Sequence, residues 1–367
     1  MLTGAPDLDD VAALTDADVE GLLPASALAG AQTRAVAAAV DEGVLEPLAV
    51  LRPRAVVMVC GDGTAGRAAD LVLAMVSARI DVPLIKTVEV PSWIGPLDVV
   101  VVAGDDAGDP RLADAATRAG RRRAEVVIAG PLEGPLRDSL IGPVLDLSPR
   151  VRVLERFRFA HYVSALLAVL DGLRSVRLDG PRPDLSGLAD ELDREAAGNH
   201  PGNELFHNAA KELAARVAGR PTVWTSDSPA GMALAVHASR TVFASAGIVS
   251  AALDLNEVVA TAALLSSTGS AMPADYDPIF HDAQIDGPPA AEPVRVQVLT
   301  TPAREWSARR LTAALPDVDV QMSGPGVSPA GAPPESGTPG FGDLVALMIL
   351  ALRSDMAGAY LRLVGEH

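Results

Sequence analysis

Cysteine is nearly absent from this sequence. Cys60 is the only one in 367 residues, which rules out an intramolecular disulfide and any Cys-rich metal site. It ends an apolar run and reads as a buried core thiol. Positive charge is scarce too: lysine occurs only as Lys86 and Lys211, and the net charge is −17. An acidic surface of that size repels phosphate backbones and anionic lipid heads, which argues against nucleic acid and membrane as partners. A phosphorylated ligand would need a locally positive pocket. The first ten residues are polar and acidic and lack the basic start and apolar stretch of a signal peptide. No run approaches the roughly 20 apolar residues of a membrane-spanning helix. The expected setting is the cytoplasm.

Apolar residues make up 49% of the chain, much of it Ala and Val, which is enough for two domains with a core each. The stretch 9–49 reads as mostly helical, with Thr15 and Asp18 spaced as a capping box for a fresh helix start. Beyond it, strands predicted over 55–60, 82–87, 98–103, 124–129 and 143–147 alternate with helices over 65–78 and 109–121. That alternation specifies βαβ units and a parallel sheet. A helix over 160–173 closes the first half, and 177–202 reads as a linker with a short helix over 185–197. The second half repeats the plan, with strands over 221–225, 294–300 and 318–322 and helices over 203–218, 230–239 and 304–315. An apolar segment over 258–265 fits either type. The Gly-, Pro- and Ser-rich stretch 323–342 reads as a mobile loop, and 344–363 as a C-terminal helix. The expectation is α/β, two tandem domains, each a mainly parallel five-stranded sheet flanked by helices. Their bounds are 25–176 and 203–367, after a helical lead over 1–24.

In an open parallel sheet, ligands bind beyond the carboxyl ends of the strands. The first strand runs into Gly61-Asp62-Gly63-Thr64-Ala65-Gly66, formally a G-x-G-x-x-G turn before a helix. A dinucleotide site also needs an acid at the end of the next strand, which here ends in Lys86-Thr87, so NAD binding is a distant alternative to a turn built for close helix packing. The third strand ends in a turn carrying Asp105, Asp106 and Asp109, suited to a cation or a sugar hydroxyl, or to a solvated turn with a helix cap. Arg67 and Arg158 are the candidate anion anchors, because a guanidinium grips phosphate bidentately. Thr64, Ser226 and Ser228 sit at predicted strand-to-helix turns, where they either donate to a phosphate or cap helices. Glu257, directly after Asn256, is a candidate base or a surface carboxylate. His207 either reaches an inter-domain cleft or is solvated. His161 and His237 read as packing or surface residues. His281 with Asp277 and Asp282 is a weak candidate metal cluster.

Several segments line up in order with a known family. They are the turn Gly61 to Gly66, Val90-Pro91-Ser92-Trp93, Phe157-Arg158-Phe159-Ala160, the stretch Asn208 to Ala214, Leu253-Asp254-Leu255-Asn256-Glu257 and the C-terminal helix. Over roughly residues 25 to 365 the sequence resembles the sugar isomerase (SIS) fold, and specifically the bifunctional phosphoglucose/phosphomannose isomerases. The resemblance implies aldose–ketose isomerisation of glucose and mannose 6-phosphates to fructose 6-phosphate, no cofactor, no metal, and an active site at a homodimer interface. It carries Arg158 over as the residue that steadies the enediolate, and Gly61, Gly63, Thr64, Asp105 and Asn256 as neighbours of the ligand. The departures fall on chemistry. Ala65 stands where the family has a phosphate-binding serine. Ala103, Asp105 and Gly108 replace a Ser/Thr-rich turn, the stretch Ser239 to Phe243 has no carboxylate where the family has its base, and Leu255 takes the place of a histidine. Proton transfer needs a group of tunable pKa within hydrogen-bond reach of the substrate. The expectation is therefore a sugar-phosphate or small-anion binder with weak or lost isomerase activity, and the alternative is an active isomerase with relocated groups.

Overall fold

Runs of β-branched residues build two parallel sheets. The computed structural model describes residues 7–180, 182–268, 293–324 and 343–365. The first sheet contains β1 (Ala55–Val59), β2 (Leu84–Thr87), β3 (Asp98–Val102), β4 (Glu125–Ile128) and β5 (Leu145–Asp146), in the order β2-β1-β3-β4-β5. The second contains β6 (Thr222–Thr225), β7 (Ala251–Ala252), β8 (Arg295–Leu299) and β9 (Val318–Gln321), in the order β7-β6-β8-β9. All paired neighbours run parallel. The expected fifth strand of the second sheet is therefore not found: among the described residues that sheet has four.

The helices of the first half are α1 (Val11–Ala17), α2 (Leu22–Ser26), α3 (Ala29–Asp41), α4 (Thr64–Val76), α5 (Pro110–Arg121), α6 (Gly134–Asp138) and α7 (Phe159–Gly172). After them come α8 (Leu185–Gly198), α9 (Ala209–Val217), α10 (Pro229–Ala246), α11 (Leu255–Ala260), α12 (Ala262–Thr268), α13 (Glu305–Leu311) and α14 (Leu344–Val364). The helix start expected at Thr15 is corrected. Asp10 caps α1 by accepting from the Ala13 N–H, and the Thr15 hydroxyl donates back to Val11 within the helix. Asp18 serves the next helix instead, its carboxylate accepting from the N–H groups of Leu22 and Leu23. The segment 258–265, open between strand and helix, is helical: it falls on α11, which starts where Asp254 accepts from the Asn256 N–H, and on α12.

Alternate residues of the central strands feed two different interiors. Val56, Met58, Val99 and Val101 face one apolar cluster, while Val57, Val59, Val100 and Val102 face another. This double burial is why β1 and β3 read as continuous valine runs. The first cluster does not stop at the first sheet. It continues through α4 and α7 into α10 and α14, so one apolar interior joins both halves. Small residues set the spacing there. A side-chain carbon on Gly358 of α14 would lie 3.2 Å from Ser245 Cβ of α10, so the two helices approach as closely as glycine permits. α8, in the stretch read as a linker, packs against α3 and α14 and pairs Glu195 with Arg353.

One expectation about membranes needs correction. α14 has 21 residues and a mean hydropathy of 1.6, long and apolar enough by those measures to cross a bilayer. Yet 94% of its apolar window is buried inside the protein, the position of a core helix. The proposed metal cluster around His281, and the loop expected over 323–342 apart from Ser323 and Gly324, lie outside the described residues.

Candidate functional site

The turns after β1 and β3 lie side by side, because their strands are neighbours in the sheet. In the first turn, Gly66 is demanded by packing: a Cβ there would fall 1.8 Å from the Gly61 carbonyl oxygen. That close approach accounts for the last glycine of the motif without a dinucleotide. Lys86, at the end of β2, pairs with Asp70 at 2.7 Å. Gly63 is the N-cap of α4, and no side chain caps that helix. Thr64 is buried, and its hydroxyl accepts from Arg67 Nη2 at 3.2 Å.

In the second turn the three aspartates part company. Asp106 closes the turn by accepting from the Gly108 N–H. Asp109 caps α5 and pairs with Arg111. Asp105 alone turns inward, its side chain 14% exposed. Arg158, which ends a short 3₁₀ turn and precedes α7, directs Nη1 to the Asp105 carbonyl at 3.3 Å and to its Oδ1 at 3.5 Å. One helical turn on, the Tyr162 hydroxyl donates to the same Oδ1 at 2.8 Å. The remaining oxygen, Oδ2, lies 3.8 Å from where a side chain on Gly63 would begin. Arg158 Nε is buried without an acceptor. Burial pushes the Asp105 carboxyl above its ordinary range, against the opposing pull of Tyr162 and Arg158. Burial, reinforced by Asp105, also holds the Tyr162 phenol far above its usual value.

Arg67 leads from this cluster into the core between the halves. Its Nε donates to His237 Nδ1 at 3.5 Å, and His237 Nε2 donates to Asp355 Oδ1 of α14 at 3.1 Å. The His237 ring stacks on Phe159 with centroids 3.9 Å apart. Burial lowers the His237 pKa despite Asp355, and it lowers that of Arg67 as well. His161 is also buried, with Nε2 donating to the Ala129 carbonyl at 2.8 Å. Both histidines are thus packed in the core, as one of the two sequence readings had it.

The other candidates are not brought to these turns by any hydrogen bond or ion pair among the described residues. Ser228 caps α10 by accepting from the Gly231 N–H, and Ser226 Oγ accepts from the Ser228 N–H. Between them, the Asp227 side chain is fully buried and pairs with Arg304 at 2.9 Å and Thr300 at 3.0 Å. Sequence reasoning missed that pair, although an Asp flanked by two serines at a strand-to-helix turn was a usable signal. Glu257 and Asn256 are exposed on the first turns of α11. His207 is exposed, and its ion contact is with Glu204 at 3.9 Å. Ser239, Arg240 and Phe243 of the stretch 239–243 instead line a groove of about 360 Å³ with Val236, Val249, Ser250 and Ala252. Cys60 is buried and its thiol is pushed up to about 12 by desolvation, as a core thiol should be. Among the described residues, no group of three or more His, Cys, Asp or Glu could hold a metal ion.

Two parallel sheets flanked by helices, with the candidate residues on the loops beyond the strands, define an open-sheet α/β protein. Its arrangement is the sugar isomerase (SIS) fold. A protein from Clostridium difficile 630 designated a phosphosugar isomerase superposes over 94% of this chain and 93% of its own, with a TM-score of 0.59 at 10% identity. A hypothetical protein from Thermus thermophilus matches over 97% of this chain and 89% of its own (TM-score 0.61, 11% identity). The C-terminal domain of glucosamine-fructose-6-phosphate aminotransferase from Francisella tularensis matches over 93% and 94% (TM-score 0.55, 10% identity). At such identities the likeness is one of fold. No protein-family model matches the chain, and no curated protein matches it either.

Proposed function

We propose that this protein binds a sugar phosphate or a related small anion and has weak or lost aldose–ketose isomerase activity. Its units are two SIS-type domains, over 25–176 and 203–367, in a homodimer. The observation that carries the reading is the Arg158 guanidinium at the paired turns after β1 and β3, next to an α4 N-terminus that no side chain caps. Both features attract an anion. The positions where the family resemblance expects proton-moving groups carry none: Leu255 and the stretch Ser239 to Phe243 offer no carboxylate or imidazole, and Glu257 stands exposed on α11. Loss of a general acid or base costs roughly 10² to 10⁴ in rate each.

Two measurements test this. With fructose 6-phosphate in a coupled isomerase assay, the expected result is no turnover above background. By calorimetry, millimolar fructose 6-phosphate binds the wild type and binds Arg158→Ala at least tenfold more weakly. Brisk interconversion of hexose phosphates refutes the loss of activity, and absence of any binding refutes the ligand class.

A further inference from the structure

Three anion-seeking features converge on one point of the first half, and a carboxylate of the chain itself is already there. Arg158 Nη1 and the Tyr162 hydroxyl both approach Asp105 Oδ1, at 3.5 and 2.8 Å. Asp105 Oδ2 lies toward Gly63, the uncapped start of the 13-residue α4. We propose that Asp105 is a built-in competitor for the ligand's phosphate, occupying Arg158, Tyr162 and the start of α4 until an incoming anion displaces it.

The fit of the carboxylate is poor in a way that favours displacement. Its bond to Arg158 is long for an ion pair, because good N–H···O⁻ contacts run to about 2.7–2.9 Å. Arg158 Nε is left buried with no acceptor. A carboxylate has two oxygens to share among these donors, whereas a phosphate monoester has three besides its ester oxygen and can serve Nη1, Nε and the backbone N–H groups of the turn together. The two anions cannot share the point, since like charges at contact distance repel. Asp105 therefore sets a low affinity without abolishing the site. Its neighbours Asp106 and Asp109 do not take this part, being turned to the turn's own backbone and to α5.

This inference rests on the reading of the chain as a sugar-phosphate binder, and the test separates the two. Inorganic phosphate and fructose 6-phosphate are titrated by calorimetry into the wild type, Asp105→Asn, Asp105→Ala and the double variant Asp105→Asn/Arg158→Ala. Asn keeps the shape and an acceptor for Tyr162, and Ala guards against the new amide making bonds of its own. The expected result is at least tenfold tighter binding of both ligands to Asp105→Asn and Asp105→Ala, with the gain lost in the double variant. If the wild type binds fructose 6-phosphate and folded Asp105→Asn and Asp105→Ala bind it no more tightly, the competitor idea is wrong while the binder reading stands. If none of the four binds either ligand, both fall.

Discussion

Lowering the pH should destabilise this protein through a histidine buried in its core. His161 lies in the first turn of α7, is 2% exposed and donates Nε2–H to the Ala129 carbonyl. Desolvation brings its pKa down to about 4, with the nearby Arg158 charge adding to the shift, whereas the unfolded chain titrates near the ordinary value of 6.5. The sign follows directly. Below pH 6.5 the unfolded state takes up a proton that the folded state refuses, so stability present at neutral pH drains away as pH falls toward the folded value. Each pKa unit is worth about 1.36 kcal/mol, so the loss is about 2 kcal/mol at pH 5 and about 3 kcal/mol at pH 4. The measurement is urea unfolding at pH 7, 6 and 5, comparing wild type with His161→Gln. Glutamine keeps an N–H for Ala129 but has no proton to gain. Titrations elsewhere, including that of buried His237, affect both proteins and cancel in the difference. The wild type should lose roughly 2 kcal/mol relative to the variant between pH 7 and 5. A stability gap that stays constant across that range would show that His161 is solvated or paired in the folded state, and the reasoning would fail.

Two more outcomes follow from the core. His237→Ala removes the donor that Asp355 uses inside the protein and leaves a buried carboxylate unpaired, which should cost about 3–5 kcal/mol in urea unfolding; a loss under about 1 kcal/mol would place the pair in solvent. Cys60 should resist a thiol reagent such as dithionitrobenzoate at pH 8 until the protein is unfolded, since its thiol is both covered and held protonated, and rapid labelling of the native protein would contradict its burial.

The elements that could be read from the sequence are those whose signal is local. The valine runs of β1 and β3 announce strands buried on both faces, and the alternation of strand and helix announces a parallel sheet. β7 escaped notice because two residues, Ala251 and Ala252, carry no periodicity. The capping pattern at Thr15 misled because Asp18 does cap a helix, but the next one. At the site, Asp105 was legible as a charge at a strand-end turn and Arg158 as an anion anchor opening the helix that closes the first half. Their contact was not, nor was the Arg67–His237–Asp355 chain, whose last two members are 118 residues apart. Only packing of α10 on both α4 and α14 brings those side chains together. Asp227 with Arg304 is hidden for the same reason, being 77 residues apart in sequence.

The helices α4, α7, α10 and α14 are the inner wall of both rooms of this molecule. Severing the chain between its sheets would leave each piece with an oily side and nothing to lay against it. Neither half could be traded for a foreign counterpart without recutting the other's seam, and a detail as small as the contact of Arg67 with His237 ties one half's tailoring to the other's.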